Sequence, residues 1–132
     1  MAVFIDTSAF FAVLDADDVN HTAAGRIWKN LIDHREELVC SNYILIECFA
    51  LLQRRLGFEA ARVFQADVVG VLQVRWVDEP LHAAGVSALL TAGRRQLSLV
   101  DCVSFELMRR LGLTAVFAFD QDFADQGFSC LV

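Results

Sequence analysis

The sequence predicts an α/β fold of three layers, with helices on both faces of a central, mainly parallel sheet of four or five strands. Short runs that are apolar throughout alternate with longer segments whose apolar residues recur every three or four positions. Strands without a polar alternation are typical of parallel sheets, because helices bury both faces. No linker or repeat divides the 132 residues, so we expect a single domain over residues 1–132.

Five apolar runs fit buried strands. They cover residues 3–5, 38–40, 73–77, 115–119 and, as the weakest of the five, 128–131. In a parallel sheet covered on both faces, ligands bind beyond the carboxyl ends of the strands. Polar residues that directly follow these runs are therefore the first candidates for a functional site.

Helices are predicted in the gaps between the strands. A polar capping residue precedes an apolar stripe at three places, namely Asn20, Ser41 or Asn42, and Ser98. Two further segments with helical periodicity cover residues 58–72 and 81–92. Glycines suited to a helix end follow the second and the last of the capped helices, at Gly57 and Gly112.

Acidic residues outnumber basic ones by 17 to 11, which gives a net charge of −6. Taken alone, this charge argues mildly against a nucleic-acid partner, which prefers a basic surface. The objection weakens if several acids form one metal-loaded cluster. Pairs of arginines begin at Arg54, Arg94 and Arg109. Such pairs suit phosphate binding through the planar guanidinium, or they complement the carbonyl end of a helix.

The hydrophobic fraction of 56% is high, yet no run of eighteen residues is free of charge. No Lys or Arg precedes Arg26, so a secretory signal is not indicated. We expect a soluble cytoplasmic protein, part of whose apolar surface covers a partner. The four cysteines form no C-x-x-C pair and are expected to be buried, reduced thiols rather than zinc ligands.

Two acids end apolar strands. The segment MAVFIDTSAF runs from apolar residues straight into Asp6, and TAVFAF runs in the same way into Asp120. Because the carboxyl ends of parallel strands meet at one edge of the sheet, we expect these two carboxylates to be neighbours.

Two more acids interrupt apolar helical segments. Glu47 lies in YILIECFALL without a Lys or Arg three or four positions away. Asp101 lies in the first turn of a predicted helix, where an acid can simply complement the helix dipole. Four neighbouring carboxylates repel one another unless a hard divalent cation compensates them. Oxygen ligands suit Mg²⁺ or Mn²⁺, which can activate water and neutralise a transferring phosphoryl group.

The pattern as a whole resembles the PIN domain, and in particular the VapC-type toxins of toxin–antitoxin pairs. The segments that carry the resemblance are DTSA from Asp6, SNY before Glu47, SLVD ending at Asp101, and DQDF from Asp120. The resemblance covers essentially the whole chain. One departure is Ala118, where the family often has Thr or Ser two residues before the last acid.

The resemblance implies a metal-dependent endoribonuclease that hydrolyses RNA phosphodiester bonds, forms a homodimer and is inhibited by an antitoxin. The residues that it implies as catalytic Mg²⁺ or Mn²⁺ ligands are Asp6, Glu47, Asp101 and Asp120. Thr7 or Ser8 would orient a carboxylate or the substrate phosphate, or would cap the following helix. Asp122 is either a peripheral ligand or a turn residue.

Other interpretations remain open at this point. A stand-alone PIN-domain nuclease for RNA processing, or a PIN-like module that binds RNA or protein without cutting it, would share the fold. A phosphatase with an aspartate nucleophile usually has a second Asp two positions after the first, where this chain has Ser8. A receiver domain needs a Lys after a late strand, and the single Lys of this chain is Lys29.

Overall fold

The computed structural model describes every residue from Met1 to Val132 and confirms the predicted α/β architecture. The five strands are β1 (Ala2–Ile5), β2 (Glu37–Ser41), β3 (Gln73–Arg75), β4 (Ala115–Phe117) and β5 (Ser129–Cys130). They form one sheet in the order β3-β2-β1-β4-β5, and every neighbouring pair is parallel.

Seven α-helices connect these strands. They are α1 (Thr7–Leu14), α2 (His21–Asp33), α3 (Asn42–Arg55), α4 (Phe58–Val63), α5 (Glu79–Ala92), α6 (Leu99–Leu111) and α7 (Gln121–Asp125). Helices α1–α4 connect the strands from β1 towards β3, and helices α5–α6 lead back from β3 to β4. Because connections between parallel strands are right-handed, these two groups of helices cover opposite faces of the sheet. The direction of strand addition reverses between β1 and β4, and ligands bind at such a point in open α/β sheets.

The central strands supply the core. Val3, Phe4 and Ile5 of β1 are fully buried, as are Val116 and Phe117 of the neighbouring β4. The sheet thus holds the first turn after each of these two strands in a fixed position. All four cysteines are free, as predicted; three are buried and Cys130 is partly exposed.

Three predicted strands are shorter in the structure. The run 73–77 ends as a strand at Arg75, and Trp76 is 75% exposed at the sheet edge. The run 115–119 ends at Phe117, because the Phe119 N–H donates to the Ser8 hydroxyl (3.0 Å) instead of extending the ladder. The run 128–131 is reduced to the pair Ser129–Cys130.

The helix predicted over residues 58–72 is α-helical only as far as Val63. A π-helical turn (Phe64–Val68) and a 3₁₀ turn (Val69–Val71) continue it. Phe64 lies at the change of pitch, fully buried, with edge-on contacts to Phe10 (5.4 Å between ring centroids) and Phe49 (5.3 Å). The π-helical turn therefore occurs where this ring packs against neighbouring helices, and the spacing of apolar residues in the segment does not predict it.

Two of the predicted caps are confirmed. The hydroxyl of Ser41 accepts the Ile44 N–H (3.2 Å), and Ser98 caps α6. Asn20 precedes α2 as predicted, but its side chain makes no capping bond. Helix α5 begins at Glu79 rather than at residue 81, because Asp78 caps it through the Leu81 N–H (2.8 Å).

Candidate active site

Asp6 forms the floor of a cleft at the carboxyl edge of the sheet. It follows β1 directly, is 4% exposed and is itself the N-cap of α1. Its Oδ2 accepts hydrogen bonds from the Ser8 N–H (3.1 Å) and from the Ser8 hydroxyl (2.6 Å), while Oδ1 makes none. The Ser8 hydroxyl thus contacts one oxygen of Asp6, and the residue that caps α1 is Asp6 itself.

Asp101 is fixed by a capping box at the start of α6. The Ser98 hydroxyl accepts the Asp101 N–H (3.0 Å), and Asp101 Oδ2 accepts the Ser98 N–H (3.2 Å). The carboxylate therefore performs the helix-terminal role considered above, but this uses only one of its oxygens. The other oxygen makes no hydrogen bond, and the side chain lies at the cleft with 9% exposure.

Asp120 caps the short helix α7 in a similar way. Its Oδ1 accepts the Asp122 N–H (2.9 Å), and Oδ2 makes no hydrogen bond. One ligand oxygen from each of Asp101, Asp120 and Asp122 lies within 4.8 Å of the other two. Three carboxylates from two elements thus lie close enough to share a cation.

Asp122 differs from the other acids because it already has a cationic partner. Its Oδ1 accepts a hydrogen bond from Arg94 Nη2 at 2.9 Å, and its side chain is 13% exposed. It does not line the cleft, although it adjoins Asp101 and Asp120. The residue that the sequence left ambiguous therefore lies at the margin of the site.

Glu47 faces the cleft from the second turn of α3 and is half-buried. The cleft has a volume of about 460 Å³ and brings together all four acids that the sequence singled out. The ten residues that line it are Asp6, Thr7, Ser8, Glu47, Ala50, Leu51, Arg54, Ser98, Asp101 and Asp120. Asp6 and Glu47 share the cleft with Asp101 and Asp120, but they do not belong to the group that these two form with Asp122.

The carboxylates of the cleft are electrostatically costly in the absence of a cation. Burial, together with the nearby charges of Asp101 and Glu47, raises the pKa of Asp6 to about 7, even though the hydrogen bonds from Ser8 lower it. Burial also raises the pKa of Glu47, Asp101 and Asp120, and each experiences the charge of at least one neighbouring acid. A divalent cation would relieve these effects, because it favours the ionised form of every ligand.

The residues present fit a hard divalent cation. Carboxylates supply an all-oxygen ligand set, and each of the three aspartates of the cleft keeps one oxygen free of hydrogen bonds. Thr7 Oγ1 is buried without a hydrogen-bond partner of acceptable geometry, although its proximity lowers the pKa of Glu47. The buried thiols do not compete as ligands, because burial raises the pKa of Cys40 to about 12 and that of Cys48 well above its usual range.

Two residues of the site region were not identified as such from the sequence. Arg54 lines the cleft, and the available signals were its pairing with Arg55 and its position seven residues after Glu47 on the same helix. Arg94 pairs with Asp122 across 28 residues of sequence, which no local pattern reveals. No helix is long and apolar enough to cross a membrane.

Comparison with known proteins gives three kinds of match. The family model described as PIN domain matches residues 3–129. The 23S rRNA-specific endonuclease VapC20 of Mycobacterium tuberculosis is 35% identical over 127 residues, which cover 96% of this chain and 95% of the relative. The crystal structure of that protein, described as a sarcin–ricin loop cleaving toxin, aligns with a TM-score of 0.85 and 34% identity over 96% of each chain.

More distant structures share the fold. FitAcB from Neisseria gonorrhoeae aligns with a TM-score of 0.71 and 15% identity, covering 100% of this chain and 97% of its own. PAE2754 from Pyrobaculum aerophilum aligns with a TM-score of 0.66 and 21% identity, covering 96% of this chain and 79% of its own. At these identities the likeness concerns the architecture alone.

Proposed function

The chain belongs to the PIN domain family, and from this premise we propose that it is a metal-dependent endoribonuclease of the VapC toxin type, formed by one domain over residues 1–132. The observation that carries the proposal is the convergence of four carboxylates, from four separate elements, on one cleft at the carboxyl edge of the sheet. The 35% identity to an rRNA endonuclease over nearly the whole chain supports the same conclusion.

Asp6, Glu47, Asp101 and Asp120 would hold Mg²⁺ or Mn²⁺. Such a cation supplies Lewis-acid activation of water and neutralises charge on the phosphodiester in the transition state. No cysteine takes part, because the buried thiols stay protonated at neutral pH.

The other polar residues of the cleft hold the carboxylates in position. The Ser8 hydroxyl donates to one oxygen of Asp6 and accepts the Phe119 N–H, so it links the residues that follow β1 and β4. Ser98 fixes Asp101, because its N–H donates to one carboxylate oxygen and its hydroxyl accepts the Asp101 N–H. Hydrogen bonds of this kind hold the carboxylates in place and lower the reorganisation needed on binding. Thr7 Oγ1 remains available to a ligand or to the substrate phosphate, and Asp122 is a peripheral member whose charge Arg94 compensates.

The substrate class that we propose is structured RNA, with a hairpin of 23S rRNA as the first choice, because the relative VapC20 is specific for 23S rRNA. Attack of water in line with the scissile bond would release the 3′ oxygen and leave a 5′-phosphate on the downstream fragment. A ribosomal RNA substrate is consistent with the cytoplasmic location that we propose.

We also propose two protein partners. An antitoxin is expected because the relative of known structure is described as a toxin. A second copy of the chain is expected because large apolar side chains remain exposed, including Ile46 (66%), Trp76 (75%) and Leu90 (74%). Size-exclusion chromatography with light scattering at micromolar concentration tests the homodimer, and a monomeric mass would contradict it.

Purified protein, separated from any co-expressed partner, tests the proposed activity. We expect cleavage of an rRNA hairpin with Mn²⁺ or Mg²⁺, no cleavage with EDTA, and loss of at least about 10³-fold in Asp101→Asn and Asp6→Asn. The 5′-phosphate on the product checks the reaction type. Cleavage that persists with EDTA or in both variants would overturn the assignment, and absence of cleavage by the native protein would favour a PIN-like binding module.

A further inference from the structure

Arg54 is the one arginine of ten whose side chain lines the acidic cleft. It is exposed, and its guanidinium makes no ion pair within 4.0 Å and no hydrogen bond to any other side chain. Three other arginines on the same side of the sequence as the late acids are already engaged: Arg94 with Asp122, Arg110 with Asp78, and Arg109 with Glu106 and Gln126. A cation that borders four carboxylates without pairing with any of them is free to bind an anion from outside.

One face of α3 connects Arg54 with the carboxylates. Glu47, Ala50, Leu51 and Arg54 stand at positions i, i+3, i+4 and i+7, and all four line the cleft. Seven residues of α-helix separate Glu47 from Arg54 by about 10 Å along the axis. The short side chain of Ala50 leaves the space between them open. The cleft therefore has an acidic end, at the edge of the sheet, and a cationic end, at the last turn of α3.

The helix dipole does not account for this arrangement. Arg54 and Arg55 both lie in the last turn of α3, where either cation complements the exposed carbonyls. Only Arg54 lines the cleft. The two residues share a charge and a position relative to the dipole, so they differ chiefly in access to a bound substrate.

We propose that Arg54 binds a backbone phosphate of the RNA substrate, next to the scissile phosphate that the carboxylates and their cation engage. This rests on the proposed ribonuclease function and adds a subsite to it. The guanidinium offers two parallel N–H donors that match the oxygens of a phosphate, and its charge stays fixed over the whole working pH range. Arg54 thus sets which linkage of the strand lies over the acids, whereas the acids perform the chemistry.

The test compares Arg54→Ala with Arg55→Ala on an rRNA hairpin in Mn²⁺. We expect Arg54→Ala to raise KM about 10-fold or more while kcat changes less than about 3-fold, since a charge-assisted contact away from the reacting atoms contributes mainly to binding. Arg55→Ala should stay within about 2-fold of the native protein in both parameters. Arg54→Lys should recover part of the loss, because it keeps the charge but not the paired donors.

Binding in the Asp101→Asn background separates this inference from the proposed function. For binding to a single-stranded RNA, the slope of log K against log salt should become less steep by about 0.7 in Arg54→Ala, as expected for one lost phosphate contact. It should not change for Arg55→Ala. If the native protein cleaves RNA but the two alanine variants behave alike, the subsite is overturned while the ribonuclease stands; if the native protein does not cleave, the proposed function itself fails.

Single neutral methylphosphonate linkages, placed in turn along the same RNA, locate the contact. At one position next to the cleavage site, the neutral linkage should weaken binding to a protein with Arg54 and have no further effect in Arg54→Ala. If every neutral linkage weakens binding by the same factor in Arg54→Ala as in the native protein, a direct contact between Arg54 and a phosphate is contradicted. A variant that binds RNA normally but loses affinity for a purified antitoxin would overturn the proposal in favour of a protein contact at Arg54.

Discussion

Asp6 carries the largest electrostatic cost among the carboxylates of the cleft. Its pKa of about 7 lies well above the ordinary value of 3.8. Between about pH 4 and pH 7 the folded, metal-free protein therefore binds more protons at this residue than the unfolded chain does. The free energy of unfolding of the metal-free protein consequently falls as the pH rises through this window.

Replacement of Asp6 by Asn removes the charge and keeps an oxygen for the two Ser8 hydrogen bonds. We expect Asp6→Asn, in EDTA at pH 8, to be more stable than the native protein by about 2 kcal/mol, with a flatter dependence on pH. Urea unfolding at pH 5 and pH 8 measures both effects. A variant that is less stable at pH 8, or one with the native pH slope, would contradict the assigned cause of the pKa shift.

Asp122 and Asp101 lie side by side but differ in their partners. Because Arg94 already compensates Asp122, we expect Asp122→Asn to retain cleavage at about a tenth to a hundredth of the native rate, with weaker Mn²⁺ binding. Asp101→Asn should lose activity by at least about 10³-fold. Single-turnover cleavage over a range of Mn²⁺ concentrations distinguishes the two, and equal losses would place Asp122 among the direct ligands.

The sequence reveals residues of the site where they break a local rule. Asp6 and Asp120 end apolar runs, and Glu47 interrupts a helical apolar segment, so each can be identified from the sequence alone. Arg54 breaks no rule, because an exposed arginine in the last turn of a helix is common and Arg55 beside it looks the same. Contacts across long separations, such as Arg94 with Asp122, depend on the folded topology and cannot be read from spacing.

At the scale of elements, the packing of α5 on α6 supports the site because α6 carries Ser98 and Asp101 at its start. Gly85 of α5 allows the close approach: a Cβ at this position would lie 2.4 Å from Val103 Cγ2 and 3.3 Å from Val103 Cα. The second contact involves backbone, so a larger residue forces the two helices apart.

We expect Gly85→Ala to lower the free energy of unfolding by about 2 kcal/mol, despite the better helix propensity of alanine. Thermal unfolding measures this effect, and Gly25→Ala in α2 is the matched control. No atom lies within 4 Å of the Cβ position at Gly25, so that substitution should be neutral or stabilising by up to about 1 kcal/mol. Because Val103→Ala is itself destabilising in the core, the clash is read from the double variant: its loss should be smaller than the sum of the two single losses, and additive losses would mean that the side-chain clash is unimportant.

Element types were predictable because the central strands β1 and β4 are apolar throughout and each long helix has a clear stripe or cap. Element ends were less predictable. The chain leaves β4 at Phe117 because Phe119 bonds to Ser8, which is 111 residues away in the sequence. The change from α- to π-helical geometry at Phe64 likewise accompanies contacts with rings from other helices, and periodicity within the segment carries no sign of it.

At the scale of the whole molecule, the strand order determines where the acids meet. The reversal between β1 and β4 places the residues that follow these strands side by side, and α3 and α6 add one carboxylate each. The fold thus holds like charges together, and folding stability and cation binding become linked.

The linkage predicts that Mn²⁺ raises Tm more at pH 8 than at pH 5.5, because protons compete with the cation at Asp6 and its neighbours in the more acidic solution. With free Mn²⁺ at a hundred times its dissociation constant, stabilisation should reach about 2.7 kcal/mol at pH 8. Differential scanning calorimetry measures the shift, with Asp101→Asn as the control that should respond less. An equal rise in Tm at both pH values would mean that the cation does not bind to these carboxylates.

The central claim is that Asp6, Glu47, Asp101 and Asp120 together hold the cation that cleavage requires. Anomalous diffraction from crystals of the native protein soaked in Mn²⁺ tests it most directly, with cleavage activity measured on the same preparation. The account predicts an anomalous peak within the cleft, with these carboxylate oxygens among its ligands, and no peak there in Asp101→Asn. An active preparation whose Mn²⁺ lies elsewhere, or whose cleft contains none, would contradict it.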